Sequence, residues 1–435
     1  MRNLISKSLF TIYFLFVFNA KSQTSYFPPN TGDSWDTIHP ASLNWCDERI
    51  DSLYTFLAEQ NSKGFILLKD GKIVLEQYFN GHSATSPWYW ASAGKTLTSF
   101  LVGIAQQENY LSITDTTSTY LGTGWTNCTP EQEEKITIWN QLTMTSGLDD
   151  GVPDHYCTLD TCLNYLANPG TRWAYHNGPY TLLDNVIESA VGLTLNQYAT
   201  QKLKNPTGMT GSFFQVDYNS VFFSTTKSMA RFGLLIKNNG NWNGNQIMTD
   251  ATYFNDMLNT SQNLNKSYGY LWWLNGKPSF MLPGLQTVFP FSMLPNAPDD
   301  ALMALGKDGQ FINVSQSENL VWIRMGESPE NSDVPFLLND AIWEYIHLLG
   351  CEPMEITSND LISAEFNVSP NPFSDKITVH SKSEVKRCDL RNAIGQLVWS
   401  GTAIEQHDLT QLPSGFYLLK ITSENGEETV KLRKE

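Results

Sequence analysis

The alternation of hydrophobic and polar residues predicts strands near both ends of a long first region and helices between them. Asp70-Gly71, a dipeptide typical of hairpin turns, joins two predicted strands in the segment Gly64 to Tyr78. Three more predicted strands follow late in the region: Ala301 to Leu305, Gln310 to Ser315 and Leu320 to Met325. Apolar residues recur at helical spacing in three intervening segments: Thr96 to Gln107, Tyr180 to Ala190 and Lys227 to Lys237. Strands that are distant in sequence must then share one mainly antiparallel sheet, which predicts an α+β fold.

The two ends of the chain differ from this region. Residues 1–22 combine Arg2 and Lys7 with an apolar run and then the small residues Ala20 and Ser22, a pattern typical of a signal peptide. The run is shorter than the roughly 20 residues of a membrane-spanning helix, and no transmembrane segment is expected elsewhere. Residues 23–352 are predicted to form the main domain, residues 353–365 a linker, and residues 366–435 a small all-β domain.

The small all-β domain carries two distinctive motifs. It opens with the segment Ser369 to Phe373, of sequence Ser-Pro-Asn-Pro-Phe, and has a hairpin motif, Leu412 to Tyr417, near its end. In both motifs it resembles the C-terminal sorting domain of the type IX secretion pathway. The resemblance implies that the type IX secretion machinery is a partner and that the protein is secreted or held at the cell surface. A small carbohydrate-binding β-sandwich is the alternative.

Charge and cysteine content narrow the possible partners. The formal charge of −16 at pH 7 disfavours nucleic acids and anionic membrane surfaces. Six cysteines suit an oxidising compartment. Cys157 and Cys162 are close enough in sequence to pair, and Cys46 can pair with Cys351, although other pairings are open. Neither Cys-x-x-Cys nor His-Glu-x-x-His spacing occurs, so no metal or other cofactor is expected.

The first candidate for chemistry is the pair Ser92 and Lys95, directly before a predicted helix. Residues three apart share a helix face at about 5–6 Å between Cβ atoms, so the amine can reach the hydroxyl. A serine is a weak nucleophile until a base takes its proton, and a lysine can help only if burial or charge lowers its pKa. The spacing alone is not specific. Trp90, where the nucleophile elbow Gly-x-Ser-x-Gly has its first glycine, argues against that motif.

The second candidate is Tyr175-His176-Asn177, which leads into another predicted helix. If this loop enters the same cleft, a Tyr175 phenolate stabilised by the Lys95 ammonium can take the proton of Ser92. Asn177 can donate to a substrate carbonyl. His176 is expected to be a solvent-facing loop residue rather than a catalytic base.

The third candidate is the segment Lys307-Asp308-Gly309-Gln310, between two predicted strands. The backbone N–H groups of Ser92 and Gln310 can together form an oxyanion hole, with Lys307 and Gly309 beside the substrate. An ordinary hairpin turn is the alternative for this segment.

Together, Ser-x-x-Lys, Tyr-x-Asn and Lys-x-Gly at positions 92, 175 and 307 resemble the class C β-lactamase and penicillin-binding-protein superfamily, in its esterase and amide-hydrolase branch. The resemblance spans about residues 45–348 and includes four further segments: Leu142 to Leu148, Pro169 to Leu183, Ser228 to Leu235 and Tyr268 to Trp273. It implies a β-lactamase/transpeptidase-like domain, with an antiparallel sheet flanked by helices and a mainly helical subdomain. It also implies that Ser92 is acylated and that Lys95 and Tyr175 share its proton.

Two departures from the family pattern bear on the substrate. Met144 stands where many members have histidine, and Asp308 where they have a small or hydroxylated residue. An aspartate facing the cleft would repel a substrate carboxylate, so a small uncharged ester or amide is the expected substrate. Candidates for an apolar acyl pocket are Trp88, Tyr89, Trp90, Trp272 and Trp273. Two other functions stay open: a D-amino-acid peptidase or transpeptidase-like protein acting on cell-wall peptides, and an inactive surface binding protein.

Overall fold

The structure is a computed structural model of the 435-residue chain. It describes residues 25–32, 34–328, 334–351, 366–392, 395–424 and 426–435. The signal-peptide pattern at 1–22 and the linker at 353–365 lie outside these residues. Both therefore stay predictions, as do the exact domain boundaries.

The main domain is built on an antiparallel sheet with the strand order β2-β1-β11-β10-β9-β8. Two smaller sheets have the orders β3-β5-β4 and β6-β7. The strands of the three sheets are β1 Ser62–Lys69, β2 Lys72–Tyr78, β3 Trp88–Tyr89, β4 Ser212–Val216, β5 Asn219–Ser224, β6 Asn241–Trp242, β7 Asn245–Gln246, β8 Trp273–Leu274, β9 Leu302–Gly306, β10 Gln310–Ser315 and β11 Leu320–Gly326. An early strand pairs with a late one, since Phe65 of β1 lies opposite Arg324 of β11. The predicted sheet of sequence-distant strands, and with it the α+β fold class, is confirmed.

The hairpin between β1 and β2 forms where the sequence predicts it. Asp70 and Gly71 both have positive φ, 52° and 83°, as a two-residue hairpin turn requires. A Cβ at position 71 would lie 2.0 Å from the backbone oxygen of Tyr26, so the turn needs glycine for space as well as for conformation. The early chain thereby packs against the turn, where the Tyr26 N–H donates to the Asp70 carbonyl at 2.9 Å.

Helices cover both faces of the main sheet. They are α1 Asp47–Glu59, α2 Lys95–Gln107, α3 Ser118–Leu121, α4 Pro130–Glu133, α5 Ile138–Leu142, α6 Asn177–Val191, α7 Leu195–Ala199, α8 Asn205–Thr207, α9 Thr226–Lys237, α10 Ala251–Met257 and α11 Phe336–His347. Helix α9 packs on β1, β10 and β11, while α1 packs on β1 and α11. Every residue of β10 and β11 is buried, as expected for strands covered on both faces. Helix α6 packs against α2, which brings two candidate segments together.

The C-terminal domain is all-β, as predicted. Its strands are β12 Phe366–Ser369, β13 Thr378–Ser381, β14 Val385–Asn392, β15 Leu397–Gly401, β16 Gly415–Ser423 and β17 Glu427–Lys434. They form a two-stranded sheet, β12-β13, and a four-stranded sheet, β15-β14-β16-β17, around a separate apolar core. Within the described parts of the chain, no helix is both long and apolar enough to cross a membrane.

Two disulfides are formed. Cys46 is bonded to Cys351 and Cys157 to Cys162, which confirms both pairings considered from the sequence. The first bond joins the two ends of the main domain beside a backbone bridge between Trp45 and Gly350. Cys128 and Cys388 are free.

Alkylation should separate the free thiols from the bonded cysteines. We expect native protein to react slowly at Cys388, because burial raises the pKa of its thiol to about 11 and the thiolate is the reactive form. After unfolding without reductant, only Cys128 and Cys388 should carry the alkyl group. Peptide mass mapping measures this, with reduced protein as the fully labelled control. Labelling of Cys157 or Cys46 before reduction would contradict the pairing.

Candidate active site

Ser92 lies on a short 3-10 turn, Ala91–Gly94, that leads directly into α2. Ala91 has a φ of 46°, a left-handed conformation that is uncommon for a residue with a Cβ atom. The turn is fixed from behind by Trp90, which is fully buried and donates its indole N–H to Ser224 Oγ at 2.8 Å. It presents the Ser92 side chain, partly exposed, at the start of the helix.

The amine of Lys95 lies against this serine. Its Nζ is 2.8 Å from Ser92 Oγ, and the side chain is only 3% exposed. The same nitrogen lies 5.0 Å from the ring centre of Tyr175 and 4.0 Å from that of Tyr180. Burial lowers the pKa of Lys95 to about 7, against the opposing field of Asp184. A substantial share of Lys95 is therefore the free amine, a base, near neutral pH.

Tyr175 reaches the same serine from the loop before α6. Its hydroxyl is hydrogen-bonded to Ser92, and its ring stacks on Trp273 with the centroids 5.9 Å apart. Burial raises the pKa of Tyr175 above its usual value, and the hydrogen bond from Ser92 opposes this only in part. The side chain is thus a neutral phenol in the free protein, not the phenolate considered from the sequence.

The aromatic residues expected to line an acyl pocket separate into two groups. Trp90, Trp272 and Trp273 are buried in the main core, where Trp272 stacks on Phe232 and Trp273 on Tyr175. Trp88 and Tyr89 are partly exposed on the short strand β3, directly before the turn that carries the serine. Only this second group is placed to meet a substrate.

Asn177 and His176 occupy the start of α6. Asn177 is its first residue, is 4% exposed, and has an Oδ1 without a hydrogen-bond partner among the described residues. The expectation that His176 faces solvent is wrong, because it is 2% exposed and burial lowers its pKa to about 4. His176 is therefore a neutral, buried neighbour of the site.

Within the described parts of the chain, no three metal-ligating side chains are grouped to hold an ion.

The third segment lies beside the serine because β9 ends there. A Cβ at Gly306 would lie 2.5 Å from the Trp90 carbonyl oxygen, so glycine allows the end of β9 to approach the nucleophile turn. Gln310, the first residue of β10, pairs with Gly306, the last residue of β9, across the turn that joins the two strands. The side chain of Gln310 points away, since its amide exchanges two hydrogen bonds with the backbone of Gly326. Only the backbone of Gln310 can serve the site, while the Lys307 side chain is exposed.

A buried arginine holds this connection in place from behind. Arg324, on β11, donates from Nη1 to the carbonyls of Asp308 at 2.9 Å and Gly309 at 2.7 Å. Its other donors reach the carbonyls of Gln60 and Glu327 and the hydroxyl of a neighbouring serine. Burial lowers the pKa of Arg324 to about 9. The site thus has a guanidinium directly beneath the segment proposed to bind the oxyanion.

Asp308 faces the partly exposed aromatic residues. It has a left-handed backbone, with φ 61°, and its Oδ2 accepts a 2.6 Å hydrogen bond from the Tyr89 hydroxyl. Burial and this hydrogen bond raise the pKa of Tyr89, so the tyrosine stays a donor. A carboxylate is therefore fixed beside the short strand that leads to the nucleophile.

Sequence reasoning missed two buried charged residues near the site, Arg324 and Asp184. Asp184 is 5% exposed on α6, and its Oδ1 accepts a 2.9 Å hydrogen bond from Thr98 of α2. Burial raises the pKa of its carboxyl group to about 7. Both residues had a detectable signal, since each is a charged residue at a position that the surrounding pattern reserves for apolar side chains.

Two family models match the two domains of the chain. The family model described as "Beta-lactamase" matches residues 57–325, more than half of the chain. The model described as "Secretion system C-terminal sorting domain" matches residues 367–435. No curated protein matches the chain.

Several solved structures are similar in fold to this chain. A protein of Bacillus anthracis provisionally assigned as a 6-aminohexanoate-dimer hydrolase has a TM-score of 0.54 at 20% identity, covering 75% of this chain and 88% of its own. A protein of Bacteroides dorei DSM 17855, provisionally assigned as a β-lactamase, has a TM-score of 0.57 at 16% identity, and the match covers 71% of this chain and 100% of that protein. The octameric penicillin-binding protein homologue of Pyrococcus abyssi has a TM-score of 0.53 at 14% identity, and the match covers 88% of this chain and 89% of that protein. At such identities the likeness establishes the fold alone.

Proposed function

This chain belongs to the beta-lactamase family, and on that premise we propose that it cleaves a small ester or amide through an acyl-enzyme on Ser92. The observation that carries the proposal is the 2.8 Å contact between Ser92 Oγ and the buried amine of Lys95. The C-terminal sorting domain directs the protein to the type IX secretion machinery, so the enzyme is secreted or displayed at the cell surface.

The first step is proton transfer from Ser92 to Lys95. The free amine accepts the hydroxyl proton while Oγ forms a bond to the substrate carbonyl carbon. The lowered pKa of Lys95, about 7, supports this role because the base form is populated at neutral pH. A Tyr175 phenolate is the weaker candidate for this base, because burial raises the pKa of that phenol. We propose instead that Tyr175 acts as a neutral phenol that relays the proton.

The second step is collapse of the tetrahedral intermediate. Its oxyanion is proposed to accept from the backbone N–H groups of Ser92 and Gln310, while Asn177 donates to the substrate. The proton held by Lys95 passes through Tyr175 to the leaving alcohol or amine, and the bond from the carbonyl carbon to that group breaks. Water, deprotonated by the same pair, then attacks the acyl carbon. The bond from that carbon to Ser92 Oγ breaks, the acid leaves, and the pair returns the proton to Oγ.

The charges around the site support an uncharged substrate. Asp308, fixed by Tyr89 beside β3, adds a carboxylate where a substrate carboxylate would otherwise be bound. Like charges placed together in a partly buried cleft repel each other. We propose that the exposed Lys307, together with Gly309, borders the substrate without selecting for a negative charge. The partly exposed Trp88 and Tyr89 suit an apolar acyl group.

Two other functions have less support. A D-amino-acid peptidase or transpeptidase-like protein uses the same residues, but the free carboxylate of its substrate would meet Asp308. An inactive binding protein would not need a buried amine in contact with Ser92.

The test is covalent labelling followed by turnover. We expect a fluorophosphonate to add one adduct to the wild-type protein by intact mass, and wild type to hydrolyse short p-nitrophenyl esters. Ser92→Ala should lose both, because Ser92 is the serine that contacts the base among the described residues. Penicillin, the linear 6-aminohexanoate dimer and a D-amino-acid-terminated peptide extend the assay to other substrate classes.

A matched control is available on α2, the helix that follows the Ser92 turn. Ser99 is buried in α2, and its hydroxyl has no hydrogen-bond partner among the described residues, so Ser99→Ala should behave as wild type. Folded wild type without adduct or turnover would support the binding protein instead. Turnover confined to the D-amino-acid peptide would support the peptidase.

A further inference from the structure

We propose that Asp184 is a positioning residue whose carboxylate stabilises the ammonium form of Lys95 across the α2–α6 interface. In this way it sets the pH range in which Ser92 can be acylated. The inference deepens the proposed function, and its kinetic part rests on that function.

The geometry places the two charged groups in one buried region. On α2, Lys95 and Thr98 are three residues apart, and on α6 Tyr180 and Asp184 are four apart, so each pair shares one helix face. The two faces meet, because Thr98 Oγ1 lies 2.9 Å from Asp184 Oδ1 and Lys95 Nζ lies 4.0 Å from the Tyr180 ring centre. Solvent barely reaches either charge, since Lys95 is 3% and Asp184 5% exposed.

Asp184 cannot be explained as an ordinary helix residue. An ionised carboxylate in a buried site costs free energy unless it is hydrogen-bonded and its charge is balanced. The hydroxyl of Thr98 stabilises its ionised form, whereas Oδ2 has no hydrogen-bond partner among the described residues and Glu188, one turn away, opposes ionisation. The positive charge that acts on Asp184 is that of Lys95, so the two groups titrate as a coupled pair.

Among the described residues, the other groups that face Lys95 are neutral. They are the hydroxyl of Ser92 and the phenols of Tyr175 and Tyr180, and burial raises the pKa of both phenols. Their rings attract a cation through their π faces but carry no net charge. Asp184 is therefore the group whose negative charge balances an ammonium at Lys95.

This balance matters in the acylation step. Lys95 becomes an ammonium when it takes the Ser92 proton, and a negative charge nearby lowers the free energy of that state. Without Asp184, Lys95 would stay unprotonated to a lower pH but would be a weaker base. The pH profile of acylation should therefore shift to lower pH while its maximum falls.

The decisive variant is Asp184→Asn, which removes the charge and keeps an oxygen that can accept from Thr98. In protein labelled with ¹³Cε-lysine, we expect the pKa of Lys95 to fall by about one unit or more. The Lys95 signal is assigned by its loss in Lys95→Met. In the same variant the acid limb of Ser92 labelling should move to lower pH by a similar amount, with a maximal rate about tenfold lower.

The matched control removes a different negative charge, one that opposes the ionisation of Asp184. Glu188→Gln removes the neighbouring negative charge that disfavours ionised Asp184, and its Oε1 can still accept from the Leu195 N–H. Asp184 then ionises more readily, so the pKa of Lys95 and the acid limb should move slightly to higher pH. A purely structural role for α6 would not give shifts of opposite sign in the two variants.

The outcomes separate this inference from the proposed function. Folded Asp184→Asn protein in which Lys95 titrates as in wild type would overturn the inference. If wild type neither reacts with the fluorophosphonate nor hydrolyses any substrate, the proposed function fails. The Lys95 titration would still decide the role of Asp184, because it requires no turnover.

Discussion

Replacing Lys95 by methionine is expected to lower kcat/KM for ester hydrolysis by about 10³-fold, the usual contribution of a general base. Methionine fills a similar volume without an amine, so Ser92 loses the base that lies 2.8 Å from its hydroxyl. Folding should be retained, because burial raises the pKa of Asp184 to about 7 and its carboxyl group can become neutral when the amine is absent. The measurement is the initial rate with p-nitrophenyl esters, together with urea unfolding to confirm the fold.

The activity of the wild-type protein is expected to change with pH in a defined direction. The pKa of Lys95 is lowered to about 7, so the amine becomes protonated as the pH falls through that value. Activity should therefore rise with pH near 7 and be lost below it, and Lys95→Met should lack this limb.

Lys237→Met is the matched control for the Lys95 variant. Lys237 is also a buried lysine with a pKa lowered by burial, but it lies at the end of α9, where its Nζ contacts Ser25. It should keep wild-type kcat/KM. Equal losses in both variants would mean that removing any buried lysine damages the enzyme, and Lys95 would not be the base.

The second large effect is expected for Arg324→Met. The guanidinium donates to four backbone carbonyls, and without it these carbonyls stay buried with fewer donors. We expect the free energy of unfolding to fall by about 3–5 kcal/mol, as when one partner of a buried charged interaction is removed. Because two of these carbonyls belong to Asp308 and Gly309, the segment proposed to bind the oxyanion should also move. That displacement should lower kcat of the folded fraction by about 10²-fold.

Arg231→Met distinguishes stability from catalysis. Arg231 is another buried arginine that donates to backbone carbonyls, those of Thr207 and Pro29, each at 2.8 Å, away from the nucleophile. It should destabilise the fold by a comparable amount in urea titrations and leave kcat unchanged. If Arg324→Met loses only stability, the segment Lys307 to Gln310 does not depend on the arginine for its position.

The sequence predicted local structure well because local structure follows backbone periodicity. The hairpin at Asp70-Gly71 was predictable because few residue pairs adopt positive φ twice in succession. Helices α2 and α6 were predictable from apolar residues at helical spacing, although each begins slightly before the predicted segment. The late strands β9, β10 and β11 were predictable because turn-forming residues separate their apolar segments.

Part of the candidate site was also predictable, because the contact between two of its residues depends only on their spacing along one helical segment. Ser92 and Lys95 are neighbours on consecutive turns, so their contact follows from helical geometry alone. That Tyr175 reaches the same hydroxyl was expected from the order of motifs in a resembling family. Sequence spacing itself contains no information on that contact.

The error on His176 has a physical cause. A histidine next to a proline- and glycine-rich loop is usually exposed, but here the loop folds inward at the start of α6 and buries the ring. Burial depends on what packs over a residue, and the local sequence pattern contains no information on that.

The sequence by itself determined the elements, the order of the reactive groups and the separate secretion domain, because each depends on spacing within a short stretch of chain. Only the tertiary structure decided that Asp184 of α6 is hydrogen-bonded to Thr98, on the helix that carries Lys95, and that Arg324 of β11 holds the carbonyls of the third segment. Both are charges whose placement is tolerated only in a particular buried environment. That environment is created when helices and strands far apart in the chain pack together and exclude water.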